Sequence, residues 1–157
     1  MATIEILGVP HAYELTAPTS YPHTLVFIHG WLNSRGYWQP VISRLSDDFQ
    51  CLCYDLRGFG ESQSKLRSDN TQDPDHFSWT VKSTGVIPNP FDSFYTPAAY
   101  AQDLIVLLQQ LNISSAWLIG HSLGGTIALW TASEMPVCVK GVSHSILSHV
   151  SLQFPNS

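Results

Sequence analysis

Three short runs of apolar residues restrict this chain to few folds, because a turn or corner rich in glycine comes at the end of each or soon after it. The runs occupy residues 24–28, 51–54 and 116–120. Continuous apolar runs of this length are typical of strands that are buried on both faces. Segments with helical spacing separate the runs, at about residues 37–45 and 97–111, and a third follows at about 123–133. Strands that alternate with helices predict an α/β fold with flanking helices and a mostly parallel sheet.

Capping residues predict where the first two helices begin. Thr96 is a candidate N-cap with Pro97 at the first helical position, and Ser34 is a candidate cap for the first helix. Two further strands are expected, at residues 3–7 and about 139–146. The apolar residues that share a helix face are Trp38, Val41, Ile42 and Leu45 in the first helix, and Tyr100, Leu104, Leu107, Leu108 and Leu111 in the second.

Composition excludes several classes of protein. The chain has 157 residues, 44% of them hydrophobic, which suits a single globular domain over residues 1–157. A formal charge of -5 gives no basic field for nucleic acid. Glu5 stands where a signal peptide would be positive, and no apolar run reaches membrane length, so we expect a cytoplasmic protein that does not span a membrane. Cys51 and Cys53 are expected to be buried free thiols.

Residues 63–95 differ from the rest of the chain in composition. They are rich in Ser, Asp, Asn, Thr and Pro, and they have no sustained hydrophobic period. Loops longer than about 12 to 15 residues are uncommon in compact domains. We interpret this segment as an insertion, and a flexible insertion is favoured over a flap above a site.

The motif G-x-S-x-G occurs at Gly120–Gly124, between a predicted strand and a predicted helix, which is the setting of a nucleophile elbow. The sharp turn would expose the Ser122 hydroxyl, and His121 would support the elbow. Only glycine at positions 120 and 124 would let the neighbouring backbone pass. Ser122 is therefore the candidate nucleophile. The alternative role for Ser122 is a helix N-cap.

An oxyanion needs two preorganised N–H donors. One candidate is the amide of Leu123, at the start of the helix after the elbow, where the helix dipole helps. The other is the amide of Trp31, because His29, Gly30 and Trp31 form the corner after the first buried strand. For His29, a hydrogen bond to the backbone is favoured over a role as general base.

Four segments resemble the α/β-hydrolase superfamily in its esterase, lactonase, haloperoxidase and C-C hydrolase branch. They are LVFIHGW, YDLRGFGES, AAYAQDLIVLLQQL and AWLIGHSLGGTIALWTA, and together they cover about residues 20–136 apart from the insertion. The resemblance implies the α/β-hydrolase fold and a Ser-His-acid hydrolase with Ser122 as nucleophile and Trp31 and Leu123 as oxyanion donors. It also implies that Asp55 and Arg57 form a supporting structural pair.

The chain departs from this pattern after the elbow, because the triad acid and histidine should follow the serine. The only carboxylate downstream of Ser122 is Glu134, which is expected at the far end of its helix. His144 and His149 fall in an atypical tail at residues 137–157 and are expected to be solvated. We therefore expect an α/β-hydrolase fold truncated after about the sixth strand, the N-terminal half of a hydrolase that a frameshift, premature stop or gene-model error has shortened.

Two functions remain open at this point. The first is serine hydrolysis of a small ester, thioester or lactone through an acyl-enzyme. The second is an inactive fragment or pseudoenzyme that acts as a binding or interaction module, with a complementing chain or self-association through an exposed sheet edge. A third interpretation, haloperoxidase-like or dehalogenase-like chemistry, has less support than these two functions, because dehalogenases and epoxide hydrolases place Asp where Ser122 stands. No metal or cofactor is expected, because no ligand-spaced His/Cys cluster or phosphate-binding glycine loop occurs.

Overall fold

The computed structural model describes residues 1–63 and 95–145. Most of the insertion predicted at 63–95, and the tail beyond residue 145 with His149, lie outside the described residues. The strands are β1 (Ala2–Ile6), β2 (Val9–Leu15), β3 (Thr24–Ile28), β4 (Cys51–Tyr54), β5 (Ala116–His121) and β6 (Val139–Ser145). The helices are α1 (Gln39–Leu45), α2 (Pro97–Gln110) and α3 (Leu123–Glu134), with 3₁₀ turns at Arg35–Trp38 and Gly60–Ser62.

The six strands form one sheet in the order β1-β2-β4-β3-β5-β6. β3 lies parallel to β4 and β5, and β6 lies parallel to β5. β1 and β2 are antiparallel to each other, and β2 is antiparallel to β4. The predicted α/β fold with a mostly parallel sheet is therefore confirmed. Because parallel strands end at the same edge of a sheet, the corners after β3, β4 and β5 lie side by side.

Strand alternation divides the core between the two faces of the sheet. On one face, Val26, Leu52 and Leu118 pack with α2 and α3 in the larger cluster. On the other face, Phe27 and Cys53 pack with α1 in a smaller cluster. β3 is buried at all five positions, as its continuous apolar sequence predicts.

The helix starts are partly as predicted. Thr96 caps α2, since its side chain accepts a hydrogen bond from the Ala99 N–H at 3.2 Å. The prediction for Ser34 is wrong, because its side chain makes no capping bond and a 3₁₀ turn precedes α1. Within residues 1–63 and 95–145, no helix combines the length and apolar character needed to cross a bilayer.

Two further findings concern strands. β2 is not predicted by the sequence pattern, although it joins the β1 hairpin to the parallel part of the sheet. His144 lies in β6 and is exposed, in agreement with the expected strand and with the expectation that this residue is solvated, but its ring also packs against Gly125. The final strand itself, at Val139–Ser145, agrees with the prediction of about 139–146.

Candidate active site

Ser122 lies at the corner between β5 and α3 with an unusual backbone. Its φ is 52° and its ψ is −116°, which non-glycine residues rarely adopt and which costs about 1–3 kcal/mol. The surrounding structure holds this conformation, because the Ser122 N–H donates to the Ser145 carbonyl and the Gly125 N–H donates to the Ser122 carbonyl, both at 2.9 Å. Such strain at a strand-to-helix corner is the geometry of a nucleophile elbow.

The Ser122 side chain is exposed and makes no capping hydrogen bond to α3. The alternative role as a helix N-cap is therefore wrong for this structure. Leu123 is the first residue of α3, so its N–H is one of the four that have no partner within the helix. Its position next to Ser122 suits an oxyanion donor.

The two glycines of the motif are required by close backbone packing. A Cβ on Gly120 would lie 2.3 Å from the Gly124 carbonyl oxygen, and one on Gly124 would lie 2.2 Å from the Ile28 carbonyl oxygen. No side chain fits at these distances without movement of the backbone. These contacts bring the start of α3 against the end of β3, next to the candidate oxyanion loop.

Gly30 brings that loop into contact with the elbow. A Cβ on Gly30 would lie 3.3 Å from Ser122 Cβ and 2.9 Å from His121 Nδ1. The His121 ring in turn packs against Tyr37, with ring centroids 4.9 Å apart. His121 Nδ1 is buried and has no hydrogen-bond partner among the described residues. The structure therefore brings together the predicted loop and elbow residues at one edge of the sheet.

His29 is completely buried, and its ring forms hydrogen bonds to two loops. Its Nδ1 lies 2.8 Å from the Gly30 carbonyl, and its Nε2 accepts the Leu56 N–H at 3.0 Å. Because Nε2 accepts, Nδ1 carries the proton and donates to Gly30. Burial lowers the pKa of His29, an effect that the Gly30 hydrogen bond and the charge of Asp55 oppose. His29 has no free nitrogen to serve as a base, as the sequence analysis favours.

The hydrogen bond from His29 to the Gly30 carbonyl, named here the Gly30 clamp, also affects the direction of the Trp31 N–H. In a trans peptide, the carbonyl of one residue and the N–H of the next point in opposite directions. By holding the Gly30 carbonyl, His29 fixes the plane of the Gly30–Trp31 peptide and hence the direction of the Trp31 N–H. His29 and Gly30 thus give the candidate donor a fixed orientation.

Asp55 and Arg57 do not pair with each other, so that prediction is wrong. Asp55 accepts the Arg35 N–H at 2.6 Å and also contacts the Arg35 guanidinium. Arg57 instead forms a two-point ion pair with Asp103 of α2. Both residues lie on the irregular corner after β4, where side chains two residues apart need not share a partner. Arg35 and Asp103 are the partners that the sequence analysis missed.

Three carboxylates, those of Glu14, Asp55 and Glu61, surround the Arg35 guanidinium. Burial alone would lower its pKa, but hydrogen bonds to Glu61 and Glu14 and the charge of Asp55 overcome this effect and raise the pKa. Asp55 also accepts the Glu61 N–H at 2.9 Å. Arg35 and Asp55 therefore organise the turn that follows β4, beside the oxyanion loop. Among the described residues, no group of three His, Cys, Asp or Glu side chains could hold a metal ion.

The family model of the alpha/beta hydrolase fold matches residues 23–151 of this sequence, which is most of the chain. The chain belongs to the alpha/beta hydrolase fold family. This match includes β3, β4, β5, the elbow and β6, and it agrees with the resemblance seen in the sequence.

Curated relatives with different names share this region with the chain. It is 32% identical over 129 residues to the "Putative carbamate hydrolase RutD" of Yersinia enterocolitica, covering 82% of this chain and 37% of that protein. It is 30% identical over 122 residues to a soluble epoxide hydrolase of Corynebacterium sp. strain C12, covering 78% of this chain and 33% of that protein.

A solved structure shows the same arrangement. The thermophilic esterase of Thermogutta terrifontis is 26% identical and superposes with a TM-score of 0.68, covering 92% of this chain and 45% of the esterase. The chain spans about a third of the length of the carbamate hydrolase and the epoxide hydrolase that it matches.

Glu134, the last residue of α3, lies about 16 Å along the helix axis from Leu123, the first residue after the elbow serine, given a rise of about 1.5 Å per residue.

Proposed function

We propose that this hydrolase-family chain carries the nucleophile half of a serine hydrolase site. Ser122 Oγ attacks the carbonyl carbon of a small ester, thioester or lactone as its hydroxyl proton passes to solvent water, and the N–H groups of Trp31 and Leu123 stabilise the oxyanion. The carbon–heteroatom bond then breaks and the leaving group takes a proton from water. A second water hydrolyses the acyl-enzyme, which releases the carboxylic acid and restores the Ser122 hydroxyl. The observation that carries the proposal is the strained backbone of Ser122 together with its exposed side chain, which makes no capping hydrogen bond.

The names of the relatives are consistent with acyl chemistry. A carbamate hydrolase and an esterase both break a bond between a carbonyl carbon and a heteroatom. An epoxide hydrolase does not, and Ser122 stands where the family pattern expects Asp in such enzymes. We therefore favour an acyl substrate over an epoxide for this chain.

Among the described residues, we disfavour His29, His144 and Glu134 as the general base or the triad acid. His29 has both nitrogens engaged, and Glu134 lies at the far end of α3. His144 contacts Gly125 from β6 and has no carboxylate partner among the described residues. We propose that the acid and histidine are missing from these 157 residues. Oxyanion stabilisation alone retains about 10³ to 10⁴ of rate over water when a triad is lost.

The second candidate function is a non-catalytic binding or interaction module. It is favoured by one observation, that Glu134 is the only carboxylate downstream of Ser122. Both candidates have the same fold, so only the reactivity of Ser122 separates them.

The test is labelling of the folded chain by a fluorophosphonate, read by intact mass. The reagent bonds to the serine Oγ with loss of fluoride, and the hydroxyl proton goes to solvent. Because oxyanion stabilisation acts without a base, we expect one slowly formed adduct in the unaltered chain and in Ser133→Ala, which removes an exposed serine at the other end of α3. We expect none in Ser122→Ala or after heat denaturation. An unlabelled folded chain would contradict the proposal and leave the binding module.

A further inference from the structure

An exposed tryptophan lies directly beside the candidate oxyanion donor. The Trp31 side chain is 57% exposed although it is among the largest apolar side chains, and it follows Gly30, which contacts the elbow. The next residue, Leu32, is 83% exposed and has a φ of 55°. Positive φ in a bulky residue is rare and is often found at functional sites. Two exposed apolar side chains thus come one and two residues after Gly30, where an added Cβ would lie 3.3 Å from Ser122 Cβ.

The indole of Trp31 is held in place by Phe59. Their ring centroids are 5.0 Å apart with an interplanar angle of 70°, a T-shaped contact. Phe59 also makes a T-shaped contact with His29, at 5.9 Å, and packs against the larger core cluster. The Trp31 indole therefore packs against the same side chain that packs against the His29 ring.

The turn that presents Phe59 is fixed by its neighbours. Gly58 and Gly60 flank it with φ values of 80° and 51°. A Cβ on Gly60 would lie 2.4 Å from the Asp55 carboxylate, which accepts the Glu61 N–H. Close packing and a hydrogen bond therefore tie the turn that carries Phe59 to Asp55. The aromatic pair is a preorganised surface.

We propose that Trp31 and Phe59, named here the aromatic wall, bind an apolar acyl group of the substrate, which is a deepening that rests on the proposed function. Trp31 belongs to the oxyanion loop that Gly30 brings against Ser122, and the proposal has the acyl group of an ester bound to Ser122 extend onto the wall. A flat apolar group gains most from stacking on the exposed indole. The favoured substrates are therefore aromatic acyl esters or thioesters, and small acetyl esters are poorer.

The test compares two fluorophosphonates on the 157-residue chain, one with a phenylethyl group on phosphorus and one with a methyl group. The ratio of their labelling rates at Ser122 measures the wall, because the methyl reagent reports the intrinsic reactivity of the serine. We expect a ratio of about ten in the unaltered chain, from the added aromatic contact. We expect a ratio near unity in Trp31→Ala, which keeps the backbone N–H, and an intermediate ratio in Phe59→Leu.

Trp130→Ala is the matched control, since Trp130 is an exposed tryptophan on α3, 45% exposed. It should keep the ratio of the unaltered chain. A ratio that is unchanged in Trp31→Ala would overturn the proposal. If Ser122 is not labelled by either reagent, the proposed function fails, and the wall is then read by NMR on Ser122→Ala titrated with ethyl phenylpropanoate. A shift of the Trp31 indole N–H, assigned by its loss in Trp31→Phe, supports the wall, and no shift overturns it.

Discussion

His29 is neutral in the folded chain because one ring nitrogen donates and the other accepts. Burial lowers its pKa below the usual value of about 6.5, so the folded state binds fewer protons than the unfolded state near and below that pH. The stability that neutral His29 contributes is therefore fully present above about pH 6.5 and is lost as the pH falls below it.

We expect His29→Asn and His29→Gln to lose this part of the pH dependence. Urea midpoints measured at about pH 7.5 and about pH 5.5 should differ less in both variants than in the unaltered chain. The two amides differ in which contact they retain. Asn places a donor near the position of Nδ1 and can keep the bond to the Gly30 carbonyl, whereas Gln reaches toward the Leu56 N–H.

Fluorophosphonate labelling separates this positioning role from a merely structural one. Because the Gly30 clamp orients the Trp31 N–H, labelling of Ser122 should fall about tenfold further in His29→Gln than in His29→Asn. Equal labelling in two variants of equal stability would show that the Gly30 clamp does not orient the oxyanion donor.

Among the elements, those with strong local signals were predictable and those fixed by tertiary contacts were not. β3, β4 and α2 were predicted because their apolar runs and the Thr96-Pro97 start are read from neighbouring residues alone. β2 carries Pro10 and a buried His11, and its burial does not alternate. Its hairpin to β1 turns at Leu7 and Gly8, where leucine with positive φ hides the usual turn signal.

The site shows the same division. The elbow was predictable because its spacing, strand and helix are all local to residues 116–134. The partners of Asp55 and Arg57 were not, because Arg35 is 20 residues from Asp55 and Asp103 is 46 residues from Arg57. Contacts at such separations depend on how the strands are ordered in the sheet.

The ion pair of Arg57 and Asp103 joins α2 to the turn after β4 and is buried. The hydrogen bond to Asp103, the largest effect, raises the pKa of Arg57 against the opposing effect of burial. Removing Asp103 takes away the carboxylate that forms a two-point ion pair with the buried Arg57 guanidinium, so Asp103→Leu should lower the free energy of unfolding by about 3 kcal/mol. Asp103 also lies 3.3 Å from His11 Nε2, which loses this neighbour too.

The double variant Arg57→Leu with Asp103→Leu should be more stable than Asp103→Leu alone, because the buried Arg57 charge is removed together with the Asp103 carboxylate that compensates it. Asp47→Asn, at a carboxylate outside this ion pair, should stay within about 0.5 kcal/mol of the unaltered chain. Urea unfolding measures all three. A double variant that is no more stable than the single one would show that the cost comes from lost packing instead of the charge.

At the scale of the whole molecule, three buried free cysteines can report separately on the opening of the two faces of the sheet. Cys51 and Cys53 lie in the cluster under α1, and Cys138 lies in the cluster under α2 and α3. Burial raises the pKa of Cys51 to about 11 and that of Cys53, with a smaller effect of Glu14, to about 12. It also raises the pKa of Cys138.

We expect all three thiols to react with a disulfide reagent at about pH 8 at least about 100-fold more slowly in the folded chain than in urea, since access and thiolate are both lost. If the sheet and its helices unfold as one unit, the three thiols should react in a single phase whose rate follows global opening. The variant Cys138→Ala identifies the contribution of the α2 and α3 face. A fast phase of two thiols that persists in Cys138→Ala would mean that the α1 face opens independently, and that the elbow and oxyanion loop are supported mainly by the core under α2 and α3.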